Sequence, residues 1–425
     1  MSEARTGWAL RGYLLAVAAL SPLLPWHLKR RLARGKEDPG RWREKLGYPT
    51  VARPEGALVW FHAVGLGEVL ALRGLIAAMA AARGDLQFLV TSSARSSAQV
   101  FAANRPERTV HQYLPLDAPG PVARFLDHWR PDLSVWAEQD LWPGAVVAAA
   151  RAGIPLALVN ARMDARAFAA RSKGRGIYRD LYGRFALIST QDEATARHLA
   201  ALGARGVTVG GSLKAAAGPL ADHPERAAIQ QALMARRIWV AASTHPEDEA
   251  AALSAQARLF REDPAWLLIL APRDPVRGEE IGLMAAASHG LSFVRRSLGA
   301  QPGAGDAVWA ADTFGEMGLW YRLGAAALVG GSFGGTGGHN PWEPARLGAA
   351  VLHGPNVANF RGDYARFHEA GAARQVGDAT ALAAALTDPA LPDIAARGRA
   401  LADEGMAGLD RLTDSLLALL TEGKR

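Results

Sequence analysis

The chain contains no cysteine in its 425 residues. That removes disulfide frameworks and thiolate metal centres, and it is compatible with a reducing compartment. No Asp-x-Asp pair occurs either, so a metal clamp of closely spaced aspartates lacks its ligands. No zinc-finger spacing or RNA-binding aromatic signature is present, so nucleic acid is not an expected partner. The formal charge of +7 is spread along the chain and gives a mild bias toward anionic partners. No short-period repeat appears, which excludes solenoids and propellers.

What is present describes a globular protein: 49% apolar residues, 21% charged, and a length suited to two domains of ordinary size. The N-terminus carries an apolar stretch over residues 12–20, shorter than the ~20 residues of a spanning helix. Pro22 and Pro25 interrupt its continuation, and then comes the basic block Lys29-Arg30-Arg31-Leu32-Ala33-Arg34. Basic residues beside an apolar segment prefer the cytoplasmic leaflet, and Trp8, Tyr13 and Trp26 suit the interface. The expectation is a membrane-associated anchor on the cytoplasmic side, against the alternative of a buried helix with a solvated basic turn.

From residue 57 onward, short apolar runs alternate with helical stretches. The runs lie at 57–61, 87–91, 110–114, 133–136, 156–159, 186–189 and 207–209, then at 238–241, 266–270, 293–294, 326–329 and 350–352. Such alternation predicts parallel sheets covered on both faces. The pattern pauses over a Gly-, Pro- and Ala-rich stretch. The expected division is an N-terminal segment 1–48, a Rossmann-like domain 49–212, a linker 213–236 and a second Rossmann-like domain 237–425. The two halves are expected to face a cleft.

Four stretches sit where strands hand over to helices, the edge at which open α/β sheets bind ligands. After the run ending in His62, a glycine-bearing turn leads to Glu68 in a first helical turn. There the helix dipole favours an ionised carboxylate able to accept a proton, or simply rewards an acidic residue. Glu138 and Asp140 come after the run ending at Trp136, before Pro143. On one side of an extended segment they would hold hydroxyls or tune a base; equally, Asp140 would cap the helix. Ser243, Thr244 and His245 end a strand of the second half, with hydroxyls suited to a phosphate at a helix N-terminus. The acidic run Glu247-Asp248-Glu249 reads as dipole complementation. Finally, the glycine-dense loop over residues 330–338 leads through Gly337, Gly338, His339 and Asn340 into a helix bearing Glu343. Glycines there let the backbone approach a ligand closely, and N–H groups face an anion.

In this order, these stretches resemble the Kdo (3-deoxy-D-manno-octulosonate) transferase family of lipopolysaccharide synthesis. The resemblance runs from about Lys36 to Phe360. It is carried by Lys36-Glu37-Asp38-Pro39, Trp60 through Glu68, Tyr113 through Asp117, Glu138 through Pro143 and Val159-Asn160-Ala161-Arg162. It continues in Gly211-Ser212-Leu213-Lys214, Ala242 through His245, Ala271-Pro272-Arg273, Asp312 through Glu316 and His339 through Pro344. The chain departs from the usual pattern at Gly65, Leu66, Gln139, Asp140, Gly144, Ala215, Ala216 and Asp274, and Gly334-Gly335-Thr336 replaces a bulkier segment.

The resemblance implies a GT-B fold and an inverting, metal-independent transfer of Kdo from CMP-Kdo to a lipid A precursor at the inner membrane, with no cofactor. It implies Glu68 as general base, with Glu138 and Asp140 beside it. Ser243, Thr244, His245 and residues 337–340 would serve the leaving phosphate, Glu343 the ribose, and Lys214 and Arg273 the phosphate or the sugar carboxylate. Other readings are a paralogous transferase with another sugar or acceptor, a silent relative that binds lipid or nucleotide, and an epimerase on the same fold.

Overall fold

The structure, a computed structural model, describes residues 6–64, 66–95, 98, 101, 102, 105–215, 218 and 220–422, apart from the side chains of 66–70 and 422. It divides into two compact units: residues 1–217 with 405–425, and residues 218–404.

The first unit holds a seven-stranded parallel sheet, ordered β3-β2-β1-β4-β5-β6-β7. Its strands are β1 (Ala57–His62), β2 (Leu86–Ser92), β3 (Thr109–Tyr113), β4 (Leu133–Ala137), β5 (Leu156–Ala161), β6 (Leu187–Thr190) and β7 (Val207–Val209). Every residue of β1 is buried, as a strand covered on both faces requires. Its side chains alternate between two cores. Leu58 and Trp60 join Trp136, Phe125 and Leu158 on one face. Ala57, Val59 and Phe61 join Val135 and Val159 on the other. A one-residue slip of register would exchange the two sets. On that second face sits the end of the last helix, Leu391–Glu422, whose Leu409, Leu412, Leu416 and Leu420 form one helical stripe.

The second unit repeats the design with strands ordered β10-β11-β9-β8-β12-β13-β14. These are β8 (Arg237–Thr244), β9 (Trp266–Pro272), β10 (Phe293–Arg295), β11 (Val308–Ala310), β12 (Ala326–Val329), β13 (Ala350–His353) and β14 (Ala373–Gln375). Here Trp239 and Ala241 face one core, Val240 and Ala242 the other. Two seven-stranded parallel sheets give the GT-B-like architecture expected. Strands β11 and β14 are additions to the runs predicted from sequence.

The domain limits also differ from expectation. Residues 213–236 are not a free linker: the helix Arg226–Ala232 buries Ile229, and Leu233 enters a core of the second unit beside it. The second domain does not run to 425, because the apolar stripe of the last helix completes a core of the first unit.

Pro22 and Pro25 do not end the N-terminal helix. Each opens a new segment, of the turn Ser21–Leu23 and of the helix Leu24–Ala33, where proline's missing N–H is no loss. The helical run Trp8–Ala33 is thereby long and apolar enough to cross a membrane. Leu10 and Leu28 are buried, whereas Trp8, Leu15, Leu20, Leu23 and Trp26 are exposed. Nor is its basic end wholly solvated, since Arg31 and the buried Lys45 both pair with the buried Glu37, at 2.5 and 2.6 Å.

Candidate active site

In each sheet the strand order reverses direction at one pair of neighbours, and ligand crevices open there, beyond the carboxyl ends of the strands. In the first unit that pair is β1 and β4, in register at His62 and Trp136. In the second it is β8 and β12, in register at Ala242 and Val329. The four stretches singled out in the sequence lie just beyond these four strands.

Beyond β1, Glu68 is the third residue of the helix Leu66–Ala82. Its side chain lies outside the described residues, as does Gly65. The strand's last residue, His62, is buried, with Nδ1 3.0 Å from Thr91 Oγ1 and 3.2 Å from the Thr91 carbonyl. Burial pushes its imidazole down to about 3, against a weaker opposite pull from the Thr91 carbonyl, so the ring is neutral.

Beyond β4, the backbone does not stay extended as expected from the sequence. Glu138 takes a left-handed φ of 60° and opens a turn, and its N–H donates to the Val159 carbonyl at 3.0 Å. Such a conformation in a non-glycine residue is costly and persists only where neighbours enforce it. Asn160, also at positive φ (55°), is one such neighbour. Its Nδ2 donates to Glu138 Oε1 at 3.5 Å, and its Oδ1 accepts from Leu213 N at 3.0 Å. In this turn Glu138 faces Asn160, whereas Asp140 is exposed.

Asp140 does not cap the helix Pro143–Arg151 either. That task falls to Asp117, from a different loop, which accepts from Gly144 N at 2.9 Å and Ala145 N at 2.8 Å. It also accepts from Tyr13 Oη of the N-terminal helix at 2.9 Å. Burial raises the Asp117 carboxyl above its usual range, and these three bonds oppose the shift. Lys214 lies in this first unit, in the turn after β7.

In the second unit the geometry is tighter. Ser243 has a left-handed φ of 53°, and Thr244 is buried with Oγ1 3.4 Å from Glu249 Oε1. The acidic run serves more than the helix dipole. Asp248 is fully buried and accepts from His245 N (2.9 Å), Gly331 N (2.7 Å), Ser332 N (3.2 Å) and Phe333 N (3.0 Å). One carboxylate thus ties the end of β8 to the glycine-dense loop after β12. Glu249, also buried, is held by Arg277 at 2.6 Å.

The glycines are needed at particular places. A Cβ on Gly330 would lie 2.4 Å from the Ser243 carbonyl oxygen, and Gly337 and Gly338 have φ of 94° and 77°. His339 Nε2 lies 3.1 Å from His245 Nε2, with the rings stacked, so these residues from two loops do meet. Burial, then His245 and Arg273, lower the His339 pKa. Asn340 Nδ2 donates to Glu343 Oε1 at 3.2 Å, inside the short helix Trp342–Arg346. Burial raises the Glu343 pKa, opposed by Asn340, Arg346 and the exposed Arg273. Ser243, Thr244, His245, Arg273, Gly337, Gly338, His339, Asn340 and Glu343 therefore share one neighbourhood. Asp248 braces the loops of the second unit, and Asn160 and Asp117 brace those of the first; reasoning from sequence missed these parts. Their signal was position: each is a short polar residue at or just beyond a strand end.

A family model described as 3-Deoxy-D-manno-octulosonic-acid transferase (kdotransferase) matches residues 40–217. A probable mitochondrial 3-deoxy-D-manno-octulosonic acid transferase of Arabidopsis thaliana is 32% identical over 361 residues, 82% of this chain and 80% of that protein. The 3-deoxy-D-manno-octulosonic acid transferase of Bordetella pertussis is 33% identical over 411 residues, 93% of this chain and 94% of that protein. Among solved structures, a UDP-GlcNAc 2-epimerase from Neisseria meningitidis bound to UDP-GlcNAc superposes with a TM-score of 0.52 at 13% identity. It covers 85% of this chain and 99% of its own, and the likeness is one of fold.

Proposed function

Because the chain belongs to the 3-deoxy-D-manno-octulosonic acid (Kdo) transferase family, we propose that it moves Kdo from CMP-Kdo to a hydroxyl of a lipid A precursor, with inversion and without a metal. The observation that carries the donor side is the glycine-dense loop braced by Asp248 at the switch point of the second sheet. The N–H groups of residues 331–333 are taken by Asp248, so a loop fixed in this way would offer a leaving phosphate its other donors, around Gly337 and His339, at no reorganisation cost. Ser243, Thr244 and His245 would join it there, with Arg273 as the cation and Glu343 as the acceptor for ribose hydroxyls.

On the acceptor side, the lipid A hydroxyl attacks the anomeric carbon as the bond to the CMP oxygen breaks. Glu68 takes the hydroxyl proton, and CMP leaves with the bonding electron pair. Glu138, oriented by Asn160, and Asp140 would hold acceptor hydroxyls, while Lys214 pairs with an anionic group. The N-terminal helix, exposed along one side and ending near Lys29, Arg30 and Arg34, supports placement on the cytoplasmic face of the inner membrane.

The test is CMP release by the full-length protein given CMP-Kdo and a tetraacylated, bisphosphorylated glucosamine disaccharide. Glu68→Gln keeps shape and removes basicity, and should lower kcat about 10²-fold or more with little change in KM for CMP-Kdo. Unaltered turnover in that variant would remove Glu68 as base. CMP release only with another activated sugar would favour a paralogous transferase.

A further inference from the structure

A groove of about 360 Å³, partly open to solvent, lies on the first unit between the N-terminal helix Trp8–Leu20 and the helices Pro119–Trp129 and Pro143–Arg151. Its wall is mostly apolar, with Leu14 and Val17 from the first helix, Val122 from the second, and Val147 and Ala148 from the third. Grooves that take small apolar ligands begin near this size. At roughly 30 Å³ for each water-sized group, it would seat about a dozen methylenes.

Two observations say what fills it. The helix that supplies Leu14 and Val17 exposes Leu15 and Leu20, and with Leu23 and Trp26 beyond it has the length and composition to enter a bilayer. One wall of the groove is therefore the element whose length and composition suit it to lipid. In addition, Asp117 lines the groove, receives the Tyr13 hydroxyl, and caps the helix after the Glu138–Asp140 turn. The groove thus adjoins the frame of the proposed acceptor side and not a remote face. The exposed Arg151 and the exposed Asp127 both lie among its lining residues, so its rim carries charge of both signs around an apolar floor.

We propose that this groove holds one acyl chain of the glycolipid acceptor, so that the acceptor is selected by its acylation as well as by its sugar. The proposal rests on the reading of the acceptor as an acylated glycolipid. A chain borrowed from bulk phospholipid would share the same chemistry, and the experiment separates the two sources.

Full-length protein, held in an amphipathic polymer to avoid detergent tails, is titrated with a dansylated eleven-carbon fatty acid. The wild type should give saturable fluorescence. Ala148→Phe and Ala123→Phe fill the groove from two different helices, and each should weaken probe binding about tenfold with an unchanged thermal midpoint. Ala123 is exposed, so that variant carries the test should Ala148→Phe fail to fold. The tetraacylated disaccharide should displace the probe at least tenfold more effectively than phosphatidylglycerol. In turnover, both variants should raise KM for the tetraacylated acceptor and leave KM for CMP-Kdo and the rate on a deacylated acceptor unchanged. Undiminished probe binding in both variants overturns the site. Equal displacement by phosphatidylglycerol overturns the occupant and makes the groove a membrane anchor. Probe binding does not require turnover, so failure of the transferase reading would be seen separately, as absence of CMP release.

Discussion

Asp248 and Gly331 lie 83 residues apart in sequence, and the carboxylate of one accepts the backbone N–H of the other at 2.7 Å. With Ser332 N, Phe333 N and His245 N on the same two oxygens, a single buried side chain fixes the form of the glycine-dense loop. An asparagine there keeps the volume but turns an NH2 toward groups that are themselves donors. Asp248→Asn should cost about 2–4 kcal/mol of stability, since it leaves buried N–H groups without an acceptor. Urea denaturation measures the loss, and CMP titration should show weaker binding in the folded fraction. An unchanged midpoint would mean that the loop holds its shape without this carboxylate.

Two glycines of that loop, Gly330 and Gly335, should respond in opposite ways. A Cβ on Gly330 meets the backbone of Ser243 at 2.4 Å, whereas nothing lies within 4 Å of one on Gly335. Gly330→Ala should destabilise by about 1–3 kcal/mol, because backbone must shift to admit a methyl group. Gly335→Ala should stay within about 0.5 kcal/mol of the parent. Thermal midpoints of the two variants, taken side by side, decide the matter.

His62 should make the protein acid-sensitive well above the range of carboxylate titration. Its folded pKa is about 3, below the ordinary histidine value of 6.5, because burial penalises the charged ring. A depressed folded pKa means the unfolded chain binds the proton first. Stability is full above about 6.5 and is lost as pH falls toward 3, at up to about 1.4 kcal/mol per pH unit. His111, also pushed down to about 3 by burial, adds to the same window. The ΔG of unfolding between pH 7 and 5 should slope less steeply in His62→Gln than in the parent. Equal slopes would show that His62 is not the titrating group.

In the proposed ribose role, Glu343 should couple nucleotide binding to pH in the opposite sense from its effect on stability. Burial raises its carboxyl pKa, so the fold favours the protonated form, and that contribution is lost as pH rises through the folded value. Ribose hydroxyls, in contrast, donate best to the ionised form. CMP affinity should therefore climb as pH passes the raised pKa and then level off. Glu343→Gln should flatten that profile and, at pH 8, raise the thermal midpoint while weakening CMP. A mutant profile parallel to the parent's would remove Glu343 from the ribose.

The central strands of both sheets could be read from residues 57–61, 133–136, 238–241 and 326–329, since strands buried on both faces carry unbroken apolar runs. Val308-Trp309-Ala310 is equally buried, yet the four residues between a Gly-Ala-Gly-Asp stretch and Ala-Asp-Thr give no period to detect. Ala373-Arg374-Gln375 is an edge strand, half solvated, and looks like loop. The strand ends were also legible, because His62, Glu138, Ser243 and Gly330 interrupt apolar runs.

What could not be read was the partnering across the chain. Asp248 looked like one acid among three, since nothing local says that its helix turn will meet residues 331–333. Asp140 looked like the helix cap because it is the nearest acid, but Asp117 reaches the same N–H groups from 27 residues upstream. Capping rules read from sequence assume the cap comes from its own helix, and a tertiary contact overrode them.

The stripe Leu409, Leu412, Leu416 and Leu420 has a consequence for synthesis. These side chains occupy a core that otherwise consists of residues before 214, among them Val59, Phe61 and Leu213. During translation the first half emerges from the ribosome long before the helix that seals it. Over that interval, one face of its sheet stays open to water or to a chaperone, and only turns made much later can close it.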